Sequence, residues 1–474
     1  MSSLPSAAGA PPAHHIAAAG EGLPPEQRGR AILTLLIAVG LATLDTAIAN
    51  TALPAMALDL QTTPAASVWI VTAYQLAMMV SLLPLAALGE IVGYRRIYIG
   101  GLVLFTAASL LCAVAWSLPT LVAARFLQGL GGAGIMSVNT ALIRFIYPTR
   151  SLGRGVGLNT LIVAIAFTVG PSVASAILAI APWPWLFAVN VPLGIVAIAL
   201  ALPSLPQTTL SQHAFDVRSA LLNAAAFGLL ILAIGEGAHQ ADAGVVGLEL
   251  AAAIVCGLFL LKRELAHPAP MLPVDLFRHP MFALSTVTAV CSFAAQGLAF
   301  VSLPFFFHHD LGRSQVEIGL LMTPWPVAVA IMAPIAGRMS DHYPVGILGG
   351  VGLALLCAGL LSMTFMPAAP GVWEISWRML LCGTGFGFFQ SPNLKALMTS
   401  APPHRSGGAS GIVATARLLG QSTGAALVAL CFNLSEVHGS RFALGFGAAF
   451  AGVACMASFL RLLTKNPYAA PLKK

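Results

Sequence analysis

Fourteen long apolar runs, separated by short polar connections, leave this chain little choice of fold. They cover about residues 31–56, 67–89, 97–117, 119–142, 155–180, 184–203, 219–235, 244–261, 281–306, 317–336, 345–366, 375–394, 408–432 and 442–463. A helix of about 20 residues, rising ~1.5 Å per residue, crosses the ~30 Å hydrocarbon layer of a bilayer. No water is available there to satisfy backbone amides, so each run is expected as an α-helix. The seventh and eighth runs are the shortest. Composition agrees: 58% of the 474 residues are hydrophobic and 8% are charged, against roughly 25% charged in a soluble domain. The expected class is an all-α membrane protein in contact with a lipid bilayer.

The basic residues set the expected orientation. With the N-terminus in the cytoplasm, eighteen of the 23 Lys and Arg residues fall on that side and three on the other; Arg125 and Arg417 lie within spans. Such an excess marks the cytoplasmic side, so both termini are expected there. The net charge of +7 is spread along the chain, and no nucleic-acid partner is expected. Seven cysteines all fall in apolar runs, with no metal-ligand spacing, and read as small packing residues. His14 and His15 alone are too few for a stable metal site.

The spans repeat as two sets. ALGEIVGYRR (87–96) follows the second span, and GRMSDHY (337–343) follows the tenth. Small residues spaced by four recur in the fifth span (Ala166, Gly170, Ala174) and in the thirteenth (Ala416, Gly420, Gly424), a pattern that lets helices approach closely in lipid. The expected organisation is a disordered cytoplasmic tail (1–29), an N-terminal six-helix bundle (30–203) and a linker carrying two inserted transmembrane helices (204–280). A second six-helix bundle (281–463) and a cytoplasmic tail (464–474) follow. Paired bundles of this kind are a transporter plan, with the substrate near midplane between them.

Asp45 is the single formal charge in 31–56. A carboxylate placed ~15 Å deep, by helical rise, is costly in lipid and marks a candidate proton site. Arg125, ~9 Å deep in the fourth span, is close enough to pair with it. Pairing favours the charged carboxylate, whereas desolvation favours the neutral acid. The bland alternative is a permanent salt bridge that locks one conformation. Gln128 lies one turn after Arg125 on the same face, placed to orient the guanidinium or touch substrate. Arg417 is a second buried cation. Its possible partners are Asp45, a backbone carbonyl, Gln296, Gln390 or an anionic group on the substrate.

Glu90 with Arg95 and Arg96, and Asp341 with Arg338, sit at corresponding helix ends and are expected as ionic latches that break during switching. Pro171, beside Gly170, is expected to bend the fifth span and form a contact point. Tyr74, Phe300, Trp325 and Phe388 are candidates for lining an apolar substrate cavity, although packing explains any one of them equally well. No G-x-x-x-x-G-K-[ST] loop occurs, so ATP hydrolysis by this chain is not expected and a gradient, or a partner, must supply the energy; no cofactor and no enzyme activity are expected.

These residues resemble the major facilitator superfamily, specifically its fourteen-helix drug:proton antiporter branch, over essentially residues 30–463. LDTAIANTALP (44–54) is similar to the branch's first-helix signature and carries Asp45. LVAARFLQGLGGAG (121–134) matches the superfamily's fourth-helix motif, with Arg125, Gln128 and Gly129 in place. ALGEIVGYRR resembles the loop between helices two and three, with Glu90 for the aspartate and Ala86 for the leading glycine. GPSVAS (170–175) resembles the antiporter fifth-helix motif, with Ala174 and Ser175 at its two glycines. The resemblance implies the major facilitator fold, two six-helix bundles plus two inserted helices (14 transmembrane helices). It also implies alternating access, with proton entry driving efflux of small amphipathic compounds or drugs across a bacterial-type inner membrane by a monomer. Asp45 would couple the proton, Arg125 would tune it, Gln128 would support Arg125, and Gly170 with Pro171 would shape the contact between bundles. A dedicated exporter of one endogenous metabolite is the alternative.

Overall fold

The computed structural model describes residues 16–17, 22–208, 210–211, 214–238, 242–266, 272–367, 369–401, 406–435 and 437–464. Thirteen helices among these are long and apolar enough to cross a membrane. They are α1 (Pro25–Asp59), α2 (Pro64–Val92), α3 (Tyr94–Ala113), α4 (Leu118–Ile146), α5 (Leu152–Ile180), α6 (Pro184–Ser204), α7 (Val217–Gly237), α8 (Ala243–Ala266), α9 (Pro280–Asp310), α10 (Gln315–Met339), α11 (Val345–Thr364), α13 (Gly408–Leu434) and α14 (Gly439–Leu463). The remaining expected span is the 28-residue helix α12 (Val372–Thr399). Its apolar character is diluted by Gln390, Asn393 and the charges Glu374, Arg378 and Lys395. The chain is therefore a multi-pass membrane protein with helices at all fourteen expected places.

Local chemistry sets several boundaries. Ser117 and Thr120 form a capping box at the start of α4, and Ser314 and Glu317 do the same for α10. Side chains at these positions satisfy amides that a helix start leaves unpaired. A single residue, Gly93 at φ 101°, separates α2 from α3; a left-handed backbone there is open to glycine without a steric cost.

The twelve helices outside α7 and α8 pack as two sets with one plan. In the first, α1 contacts α5 and α6, while α4 lies between α2 and α3. In the second, α9 contacts α13 and α14, while α12 lies between α10 and α11. The two small-residue stripes serve equivalent contacts. Gly170 packs on Ala47 of α1, and Gly420 and Gly424 pack on the backbone of α9 at Val290 and Ala294. Along the seam between the sets, α5 meets α10, α2 meets α13 and α1 meets α9. The inserted pair α7 and α8 pack on each other, and α7 also touches α2 and α13.

The first helix starts at Pro25, earlier than the expected tail allows. A two-residue strand β1 (Ile16–Ala17) pairs in parallel with β2 (Gln207–Thr208) in the linker. The rest of the expected N-terminal tail before residue 22, and residues 465–474 of the C-terminal tail, lie outside the described residues, as do His14 and His15.

Candidate functional site

The deepest polar cluster lies inside the first bundle. Asp45 of α1 is 1% exposed, and both its oxygens are occupied. Oδ2 accepts from Arg125 Nη1 at 2.6 Å, while Oδ1 accepts from Gln128 Nε2 at 2.9 Å and from Asn190 Nδ2 at 2.7 Å. Gln128 returns its carbonyl oxygen to Arg125 Nη1 at 2.5 Å and donates to Ser109 Oγ at 2.9 Å. Arg125 Nε donates to the Ile70 carbonyl at 3.1 Å. The guanidinium also lies over the Tyr74 ring, 4.3 Å from its centroid, and 5.5 Å from that of Phe187. Five helices, α1, α2, α3, α4 and α6, thus converge on one carboxylate.

The helix starts explain this geometry. Arg125 and Gln128 are three residues apart on α4, so both project to one face. Gly129 lets α2 come close: a side chain there would strike the Tyr74 carbonyl and Ala77. That approach brings the Ile70 carbonyl and the Tyr74 ring to the guanidinium. A buried ion pair is tolerated when its remaining hydrogen-bonding capacity is used, and here nearly all of it is. Asn190 was not among the expected site residues. It carries no charge and lies early in its span, and the only clue in the sequence is an amide placed where an apolar residue costs less.

The seam collects the other candidates. Tyr74 lies under the Arg125 guanidinium on α2, the helix that meets α13 at the seam. Gln296 Oε1 accepts from Gln421 Nε2 at 3.2 Å. Trp325 is fully buried and meets Phe300 edge-on at 5.1 Å, and Phe300 meets Phe167 of α5 at 5.2 Å. This aromatic trio crosses the seam; Phe167 was missed by the sequence reading because nothing in α5 marks its direction. Phe388 is partly buried on α12 and joins no ring pair among the described residues. Asn50, Thr72, Gln75, Trp325, Arg417 and Ser422, all on seam helices, each bury a polar atom with no hydrogen-bond partner among the described residues.

We call the side where α1 begins and α14 ends the terminal face. Hydrogen bonds between α5 and α10 lie toward the opposite face. Ser172 and Thr323 hydroxyls are 2.9 Å apart, Ser175 Oγ donates to the Gln315 carbonyl at 2.8 Å, and Thr168 Oγ1 donates to the Pro326 carbonyl at 3.3 Å. Pro171 lies inside a continuous α5, and its carbonyl abuts Gly319 of α10. An apolar cluster on the same side joins Leu53 and Met56 of α1 to Val301 and Phe305 of α9 and Val428 of α13.

The expected latches differ. Glu90 is exposed and makes no ion pair with Arg95 or Arg96 among the described residues. Arg95 instead donates to the Leu202 carbonyl at the end of α6, and Arg96 to Val92 at 3.4 Å. The one-residue turn at Gly93 directs the arginines away from Glu90, and Ser211 of the linker covers that turn by donating to the Glu90 carbonyl at 2.7 Å. Asp341 pairs with Lys395 of α12 at 2.7 Å rather than with Arg338, which is exposed. That pair links helices of one bundle and is largely exposed. Arg461, counted among the basic residues of the cytoplasmic side at the end of the last run, is 1% exposed. It donates to Asn393 Oδ1 at 2.7 Å and Ser285 Oγ at 3.3 Å, and it bonds Ser458.

Known proteins match this chain along most of its length. The Major Facilitator Superfamily model matches residues 35–425. The "Uncharacterized transporter YebQ" of Escherichia coli (strain K12) is 53% identical, covering 93% of this chain and 97% of its own length. "Riboflavin transporter RibZ" of Clostridioides difficile (strain 630) is 28% identical, covering 88% and 91%. "Multidrug resistance protein Stp" of Mycobacterium tuberculosis (strain CDC 1551 / Oshkosh) is 31% identical, covering 84% and 75%. A solved POT family transporter in complex with 5-aminolevulinic acid shares the fold at TM-score 0.68 and 14% identity, covering 92% of this chain and 96% of its own. Matched along most of its length by sequence and by fold, the chain belongs to the Major Facilitator Superfamily and is a transporter.

Proposed function

We propose that this transporter is a proton-coupled antiporter that exports small amphipathic compounds or drugs by alternating access. The observation that carries this reading is the fully enclosed Asp45, held by one guanidinium and two side-chain amides. An intramembrane carboxylate is a functional site by default. Protonation would remove the charge that gathers α1, α4 and α6, leaving Arg125 to Gln128, the Ile70 carbonyl and the Tyr74 ring. That loosening of one bundle's interior is the proton's effect on the rocking motion. The α5–α10 bonds around Pro171 and Gly319 are the contacts that opening to the far face must break.

In this reading the terminal face is cytoplasmic, the membrane is a bacterial-type inner membrane, and the working unit is a monomer that needs no cofactor. The named relatives include a multidrug resistance protein, which supports export of varied compounds. RibZ, a riboflavin transporter by name, supports the second reading, a carrier dedicated to one metabolite. Proteoliposomes with an imposed pH gradient test both, using a compound panel and a pH-sensitive dye. Wild type exchanges protons for substrate, and Asp45→Asn abolishes gradient-driven flux while still folding. Undiminished flux in Asp45→Asn removes Asp45 from the mechanism. Response to a single compound favours the dedicated carrier.

A further inference from the structure

Among the described residues, Arg417 at the seam has no ion pair and no hydrogen bond. Arg417 is carried on α13, about 16 Å along the helix from its start at Ser406 by helical rise. Its Nε is buried with no hydrogen-bond partner among the described residues. Two of the acceptors the sequence offers it, Gln296 and Asp45, are engaged. Gln296 Oε1 takes the Gln421 amide, and both Asp45 oxygens are filled from within the first bundle. Other carboxylates have their own partners at helix ends, such as Asp310 with Arg441 and Glu317 with Arg313.

Arg417 is not free to turn elsewhere. Leu418 packs into the core of the first bundle, while Gly420 and Gly424 press on α9. Arg417 is therefore carried at the line where the two bundles meet. Arg417 is partly buried, a charge without a counter-ion in such a place is costly, and a planar guanidinium is shaped to take an oxyanion through paired N–H donors. The Asp45–Arg125 pair adds no net charge, so the local field at the seam is positive.

We propose that Arg417 is a substrate-binding residue and that the central site takes compounds bearing a carboxylate or similar oxyanion. This rests on the transport reading above and names its substrate class. Transporter in lipid nanodiscs at neutral pH is titrated with three related probes: dansylglycine (a carboxylate), dansylglycinamide (neutral) and dansylcadaverine (cationic). Energy transfer from tryptophan reports binding. Dansylglycine is expected to bind about 10- to 100-fold more tightly than the amide, the range of a charge-assisted contact. Arg417→Gln loses that preference but still binds the amide, which certifies its fold, and Arg417→Lys keeps part of it. Asp45→Asn abolishes gradient-driven flux yet retains the preference at equilibrium, so the two readings fail separately. Equal affinities, tighter binding of the cation, no binding of dansylglycine by wild type, or an unchanged preference in Arg417→Gln overturns the proposal.

Discussion

Each six-helix set carries an arginine within a span, and the two are treated in opposite ways. Arg125 has a carboxylate, an amide oxygen, a main-chain carbonyl and an aromatic face around it. Arg417 leaves its Nε without a partner and stands at the seam rather than inside a bundle. The difference teaches where a transporter keeps its polar groups for structure and for traffic. A charge that is fully satisfied holds helices together and switches only when its partner is neutralised. A charge left incomplete waits for something that comes and goes. Arg461, enclosed by Asn393, Ser285 and Ser458 near the terminal face, belongs with the satisfied kind although it has no acid beside it.

If the two arginines differ in this way, deleting them has unequal consequences. Arg125→Ala leaves Asp45 charged and buried without its cation, and the expected loss of stability is about 3–5 kcal/mol, read as a large fall in the detergent melting temperature. Equal melting of Arg125→Ala and wild type would dissolve the contrast. Next in size, Gly319→Leu forces a side chain against Ser175 and the Pro171 carbonyl. Overpacking of this kind costs about 1–3 kcal/mol, roughly a 5- to 150-fold shift away from the state closed at the far face. Thiol labelling of a Ser172→Cys reporter should rise accordingly.

Smaller again, Arg417→Met should leave the melting temperature unchanged or raise it, because no native partner is stranded. A fall as large as that of Arg125→Ala would show that Arg417 is structural. The smallest effect concerns the linker. Asp216 takes both arms of Arg263, at 3.0 and 2.9 Å, and this hydrogen bonding holds its carboxyl well below the usual carboxylate range. A depressed carboxylate contributes stability above its unfolded value and loses it as pH falls. Asp216→Asn should therefore melt slightly below wild type at pH 7, with the gap closing as the pH drops below about 4. The partly exposed pair keeps this effect small.

Helix number and place were legible because they depend on runs of neighbouring residues. The Asp45–Arg125 pair was also legible, from two rare charges at matching depth. Its completion by Asn190 and Ser109 was not, since ordinary polar residues acquire meaning only from the helix that faces them. The partners at the expected latches were not legible for a related reason. Closeness in sequence placed Glu90 next to Arg95 and Arg96, but the Gly93 turn aims them at different neighbours. Arg461 escaped notice because a basic residue at the cytoplasmic end of a span reads as a topology charge, and only the helices packed around it bury it.

By itself the sequence determined that the chain crosses a membrane as fourteen helices, twelve of them in two repeated sets, and that one acid lies where lipid forbids it without cause. Those facts follow from local transfer energies and from the fixed rise of a helix. The tertiary structure alone decided which polar groups complete one another and which are left open at the seam. Partners there come from helices far apart in the chain, and their meeting depends on the rotation and approach of packed cylinders, which composition and spacing do not encode.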